Sequence, residues 1–136
     1  MSCTDSGTSF KLWSPSADSV TLNLYRDGNR GKAFFCVPLK REEAGVWHWS
    51  TAERLHGVYY DYILELEGET VRSADPWAKA CGLNGQRSMA VNLELTDPEG
   101  WDMDRAPEKT REQIIYELHV KEFSWDPSGR HMITVL

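Results

Sequence analysis

The sequence has no apolar run approaching the roughly 20 residues that cross a bilayer, which excludes a spanning helix. Its first residues, MSCTDSGTS, are polar and lack the apolar stretch of a secretory signal. The expectation is a cytoplasmic protein, or a secreted one whose signal has been removed. Basic clusters are missing as well. Fifteen Lys and Arg are scattered among 21 Asp and Glu, the net charge is −6 and the pI is about 5.2. Neither nucleic acid nor an anionic membrane is an expected partner. Cysteine is scarce: three residues, at 3, 36 and 81, an odd number with no CxxC. That argues against a disulfide framework or a zinc knuckle and for free thiols in a reducing compartment. Cys36 and Cys81 are expected as small buried apolar residues.

The usual catalytic signatures are absent too. There is no G-x-S-x-G elbow and no GxxxxGK[ST] or GxGxxG phosphate loop. Histidines 48, 56, 119 and 131 have no metal-ligand spacing with one another or with a cysteine. Glu117 and Glu122 flank an apolar stretch, but nothing distinguishes them from solvated charges. The reading therefore names no catalytic residue, no metal ligand and no cofactor.

What the chain does have is alternation. Residues 10–13, 20–25, 33–39, 46–50, 58–66 and 70–73 read as short strands, separated by turn signals such as Asp27-Gly28-Asn29 and Glu67-Gly68-Glu69. Val20, Leu22 and Leu24 share one face, as do Tyr60, Tyr62, Leu64 and Leu66. Strands at intervals of about ten residues form the pattern of a β-sandwich, so the expected fold class is all-β. Residues 75–82 look like a short helix, with Asp75 as cap, Pro76 in the first turn and Gly82 as stop. Residues 50–53 have capping-box spacing and suggest one further helical turn. Residues 89–95 read as the last sandwich strand and 96–111 as a polar connector. The run IIYELHVKEFS (114–124) reads as a strand that needs neighbours on both sides and has none, a C-terminal orphan strand. The expected domains are a β-sandwich at 1–95, a connector at 96–113 and a separate strand with its tail at 114–136.

Tryptophan is plentiful, with six residues at 13, 47, 49, 77, 101 and 125. Trp47 and Trp49 share one strand face. Such a pair can form a platform for sugar rings, and it can equally fill a sandwich core. Both readings stand at this level, with Trp47 and Trp49 as the candidate carbohydrate-binding residues.

Several segments resemble a known family. FKLWSPSADSVTLNLY (10–25) and GVYYDY (57–62) resemble carbohydrate-binding module family 48, the sandwich that precedes the barrel in starch-debranching enzymes. ADPWAKACGLNGQRSMAVNL (74–93) resembles the DPYAKAVGxNGxR segment of type I pullulanases, and DPEGW (97–101) their connector. IIYELHVKEFSWDPSG (114–129) resembles the first strand of their (β/α)8 barrel, in glycoside hydrolase family 13. The YNWGYDP motif is absent, Trp77 stands where Tyr is usual, Ser88 where Gly is usual, and residues 131–136 match nothing expected. The family's catalytic carboxylates lie on later barrel strands, and no position here matches them.

The resemblance implies an immunoglobulin-like β-sandwich of the early-set type. It implies that 1–95 is a carbohydrate-binding-like module and 114–136 the first strand of a truncated (β/α)8 barrel plus tail, an inactive piece of a parent that hydrolyses α-1,6-glucosidic bonds. Such modules support the barrel, and some of them bind α-glucan (glycogen, starch or pullulan) while others mainly buttress. The alternative is a free-standing glycogen- or starch-binding module, or a protein-interaction domain whose partner is the missing barrel. Residues 114–123 are expected to join the sandwich as an extra strand or to pair with a second copy of the chain.

Overall fold

The computed structural model describes residues 1–106, 108 and 114–119. Ten strands form in chain order: β1 (Ser2–Thr4), β2 (Gly7–Trp13), β3 (Ser19–Tyr25), β4 (Phe35–Pro38), β5 (Lys40–Arg41), β6 (Val46–Thr51), β7 (Tyr59–Leu66), β8 (Glu69–Ser73), β9 (Ala80–Cys81) and β10 (Ser88–Met89). One antiparallel sheet runs β1-β2-β6-β5, the other β4-β3-β7-β10-β9, with β8 also on β7. Among the described residues the only helical pieces are three-residue 3-10 turns, at Glu43–Gly45, Leu83–Gly85, Leu93–Leu95 and Trp101–Met103. The fold is an all-β sandwich.

Alternation puts the core where the sequence reading placed it. Phe10 of β2, Val20, Leu22 and Leu24 of β3, Trp47 of β6, and Tyr60, Tyr62 and Leu64 of β7 are all buried between the sheets. Each such side chain contributes about 1.5–3 kcal/mol relative to exposure. Tyr60 is the centre of an aromatic chain, edge-on to Phe10 at 4.9 Å and to Tyr62 at 5.8 Å. Its hydroxyl donates to Asp75 Oδ2 at 2.7 Å. The Tyr62 hydroxyl, equally buried, has no hydrogen-bond partner among the described residues. A buried hydroxyl without a partner costs folding free energy that Phe would not. Tyr62→Phe is therefore expected to stabilise the domain by about 0.5–1 kcal/mol, a rise of a few degrees in Tm. A lowered Tm in a thermal melt would count against this.

β7 has β3 along one side and two successive partners along the other. β10 pairs with Tyr59 and Tyr60, and β8 with residues from Tyr62 to Leu66. Between them lies Asp61, on the outward face yet wholly buried. Its carboxylate accepts from Asn23 Nδ2 at 3.1 Å, the Tyr25 hydroxyl at 3.0 Å and Arg72 Nε at 2.7 Å. Arg87 lies beside this group, its guanidinium carbon 3.5 Å from the Tyr25 ring centroid. It donates to the carbonyls of Asp27, Arg30 and Gly31 and so closes the 27–31 turn. Asp27 starts that turn by accepting from the amides of Asn29 and Arg30, bonds that lower its carboxyl pKa below the usual range.

Several expectations need correction. Residues 75–82 are not a helix. Asp75 Oδ1 does accept from the Trp77 amide at 2.8 Å, as a cap would, but the chain then bends into β9. Gly82 is needed for a close approach instead: a Cβ there would lie 2.4 Å from the Gly28 carbonyl oxygen. In 89–95 the strand ends at Met89, and Asn92 Oδ1 takes the Glu94 amide to start a 3-10 turn. At 50–53, β6 runs on to Thr51 in place of a helical turn. Cys36 is exposed because it stands opposite Asn23 on the outward face of β4, Cys81 is exposed on β9 at the end of its sheet, and Cys3 is the buried thiol.

The chain divides into two compact units, Met1–Glu99 and Gly100–Leu136. In the second, Arg105 Nη1 bonds the carbonyls of Asp102 and Asp104 after the Trp101–Met103 turn. Residues 114–119 carry no strand assignment, so the expected extra strand does not form there, and Ile114, Ile115 and Tyr116 are exposed. Residues 120–124 of that expected strand lie outside the described residues.

Candidate functional site

A sugar ring presents a C–H face and an edge of hydroxyls. A site for it needs an exposed aromatic face with polar groups beside it. Trp47 does not offer one. It is 5% exposed, its indole N–H donates to the Ser14 carbonyl at 2.9 Å, and the Arg41 guanidinium carbon sits 5.5 Å from its ring centroid. Trp49 shares that inward face, as alternation requires. It is half-buried between Phe10 at 5.9 Å and Phe35 at 5.8 Å and packs against the core.

Trp13 and Trp77 are exposed, at 70% and 83%, as is Trp101 of the second unit at 56%. Trp13 and Trp77 line one groove of about 350 Å³, together with Lys11, Leu12, Val46 and Pro76. Trp13 ends β2 opposite Val46, on the outward face it shares with Lys11. Its indole N–H donates to the Ala44 carbonyl at 3.0 Å, which fixes the ring at one edge and leaves its surface open. The backbone below is tightly set. Ser14 N donates to the Gly45 carbonyl at 2.9 Å, and Gly45 has φ +76° with Pro15 against it, where a Cβ would fall 2.5 Å from Pro15 Cα. Only glycine serves there.

Trp77 is held from the core. Asp75, 5% exposed, accepts from the Tyr60 hydroxyl on Oδ2 and from the Trp77 amide on Oδ1, while its own amide donates to Ser88 Oγ at 2.8 Å. Burial, then the Asp75 carboxylate, raise the Tyr60 pKa far above the usual tyrosine value. A line of bonds thus runs from the centre of the sandwich to the surface indole. The groove combines flat apolar area with one cation, the chemistry that stacks on a sugar face and donates to its hydroxyls.

Sequence reading proposed the tryptophan pair with shared parity and missed the exposed one. The signal was present: Trp13 has the parity of Lys11, opposite to Phe10 and Leu12. Trp77 had no such signal, since its exposure follows from a turn read as a helix. Among the described residues no group of three His, Cys, Asp or Glu side chains is placed to hold a metal ion.

Comparison with known proteins agrees with this architecture. The family model of carbohydrate-binding module 48, the isoamylase N-terminal domain, matches residues 1–78. Pullulanase 1, chloroplastic, of Arabidopsis thaliana is 35% identical over 133 residues, which cover 89% of this chain and 14% of that protein. A Klebsiella aerogenes pullulanase is 32% identical, covering 90% of this chain and 12% of its own length. Among solved structures, a Paenibacillus barengoltzii pullulanase in complex with maltohexaose and alpha-cyclodextrin superposes with a TM-score of 0.80 at 34% identity, over 92% of this chain and 20% of that one. The chain thus spans a small part of the relatives it matches, and the part is their N-terminal sandwich region. By sequence and by fold, the chain belongs to the carbohydrate-binding module 48 family.

Proposed function

We propose that this chain is a non-catalytic α-glucan-binding module of a pullulanase-like debranching hydrolase. The observation that carries the reading is the Trp13–Trp77 groove, with two exposed indoles and Lys11 on one surface. The similarity to pullulanases supports glucan as the ligand and α-1,6 hydrolysis as the activity of the whole protein. On this reading residues 1–95 are the sandwich, 96–113 connect it to the barrel, and 114–136 begin the barrel's first strand. The sandwich supports that barrel and holds glucan beside it.

The test is co-sedimentation with glycogen. Both indoles are exposed, so Trp13→Ala and Trp77→Ala leave the core intact. Each is expected to weaken retention about tenfold, which corresponds to ~1.4 kcal/mol of lost stacking. Unchanged retention in the double variant would sink the groove as the binding surface. Absence of retention in the unaltered chain would favour the second reading, an interaction domain that uses this apolar groove against a protein partner.

A further inference from the structure

Where β4 faces the end of β6, the sandwich opens. Leu24 and Leu55, both buried, form the floor of a cleft, and Phe34, Phe35 and Trp49 form its walls. The walls are braced. Phe10 backs Trp49 from the core at 5.9 Å, and the Arg26 guanidinium carbon covers the Phe34 ring at 4.9 Å. Phe35 and Trp49 meet at 41° with centroids 5.8 Å apart, so they make a V-shaped slot rather than a stack. The cavity is about 160 Å³, against about 350 Å³ for the Trp13–Trp77 groove. An apolar cavity of about 150 Å³ admits a single six-membered ring.

The rim is polar. Thr51 and Glu53 line the same cavity. The backbone of Glu53 is fixed on both sides: its amide donates to Thr51 Oγ1 at 3.2 Å, and its carbonyl accepts from Thr8 Oγ1 at 2.9 Å. An exposed acidic side chain thus extends from a fixed backbone at the edge of an aromatic slot. A purely hydrocarbon guest would make no use of that carboxylate. A pyranose ring matches both parts, with its C–H face on the aromatics and neighbouring hydroxyls donating to the two carboxylate oxygens. The floor is the sandwich core, so a polysaccharide cannot thread through.

We infer that this cleft is a pocket for the terminal glucosyl ring of an α-glucan chain, with Phe35 and Trp49 as its walls and Glu53 as its hydroxyl acceptor. The inference rests on the α-glucan reading above and adds a second, end-selective site to the groove. Linear chains occupy both sites, whereas a closed ring of glucose units has no end and occupies the groove alone.

The indole N–H resonances of Trp49 and Trp77 separate the two sites in the whole 136-residue chain. Maltoheptaose is expected to shift both, and β-cyclodextrin, its cyclic counterpart, only Trp77. Glu53→Gln, at an exposed position, is expected to weaken the Trp49 response at least tenfold and leave the Trp77 titration unchanged. Phe34→Ala is expected to act in the same direction. If maltoheptaose moves Trp77 and not Trp49, the pocket is overturned and the groove stands. An equal Trp49 response to β-cyclodextrin overturns end selection. A Trp49 shift with phenol and none with either sugar makes the cleft a socket for an aromatic side chain and overturns the proposal. Silence of both indoles with both sugars overturns the pocket and the glucan reading together.

Discussion

Asp61→Ala is expected to lower the melting temperature by about 12–24 °C. The carboxylate is wholly buried and accepts from Asn23, Tyr25 and Arg72. Removing it leaves the Asn23 amide and the Tyr25 hydroxyl without their acceptor and Arg72 without its counter-charge. Deleting one member of a buried pair costs about 3–5 kcal/mol. Arg72 is half exposed and regains water, which puts the loss near the lower end, about 3 kcal/mol. For a domain of this size each kcal/mol moves Tm by roughly 4–8 °C. Arg72→Ala should cost at least as much, about 3 kcal/mol, because it leaves the wholly buried Asp61 carboxylate with two neutral donors and no counter-charge. A thermal melt of the two single variants and the double variant gives the coupling directly. An Asp61→Ala protein melting within about 4 °C of the parent would show that the network contributes little.

The second large effect appears in alkali. Tyr60 and Tyr62 both have hydroxyl pKa values far above the usual range, through burial first and the Asp75 carboxylate second. The folded state therefore keeps protons that the unfolded chain releases near pH 10. Stability is whole below that pH and is lost as pH rises above it, at about 1.4 kcal/mol per pH unit for each tyrosine. Two tyrosines give about 2.7 kcal/mol per unit. Between pH 10 and 12 the loss approaches the ~5 kcal/mol that small domains have in total. Tyr25, raised by burial and by Asp61, acts in the same direction. Tyrosinate absorbance at alkaline pH should rise together with the loss of β-sheet circular dichroism, in one cooperative step. Ionisation of all five tyrosines near pH 10 with the dichroism unchanged would refute this.

The sandwich was legible because alternation has a period and long strands repeat it often enough to be read. β2, β3, β4, β6, β7 and β8 were visible in this way or as the return strand of a hairpin. The two- and three-residue strands β1, β5, β9 and β10 were not, since so short a strand has no period. Residues 75–82 misled because an Asp side chain takes an amide two residues on in a turn just as it does at a helix start. Asp61 alternates as an outward residue. Its burial arises from Tyr25, Arg72 and Asn23 closing over it, which no single strand encodes. The candidate tryptophan pair divided for a related reason. Parity placed Trp47 and Trp49 on one face, but which face is inward depends on the opposite sheet. Trp47 went into the core, and Trp49 reached the surface only where β4 leaves the cleft open.

The forked pairing of β7 has one more consequence. The chain leaves it at Ser73, opposite Tyr62, and returns at Ser88, opposite Tyr60, two positions away. The whole 74–87 excursion, which carries Trp77, thus begins and ends at nearly the same point of one central strand. Doubling the length of such an excursion costs only about 0.6 kcal/mol in closure entropy, and it shifts no strand register. Its ends are secured by Asp75 at one side and Arg87 at the other. Within it, residues 76–79, between the Asp75 anchor and β9, pair with no strand and behave as a cartridge: they can be exchanged while β9 and Gly82 keep their places, so a new binding preference can be grafted there without refolding the sandwich.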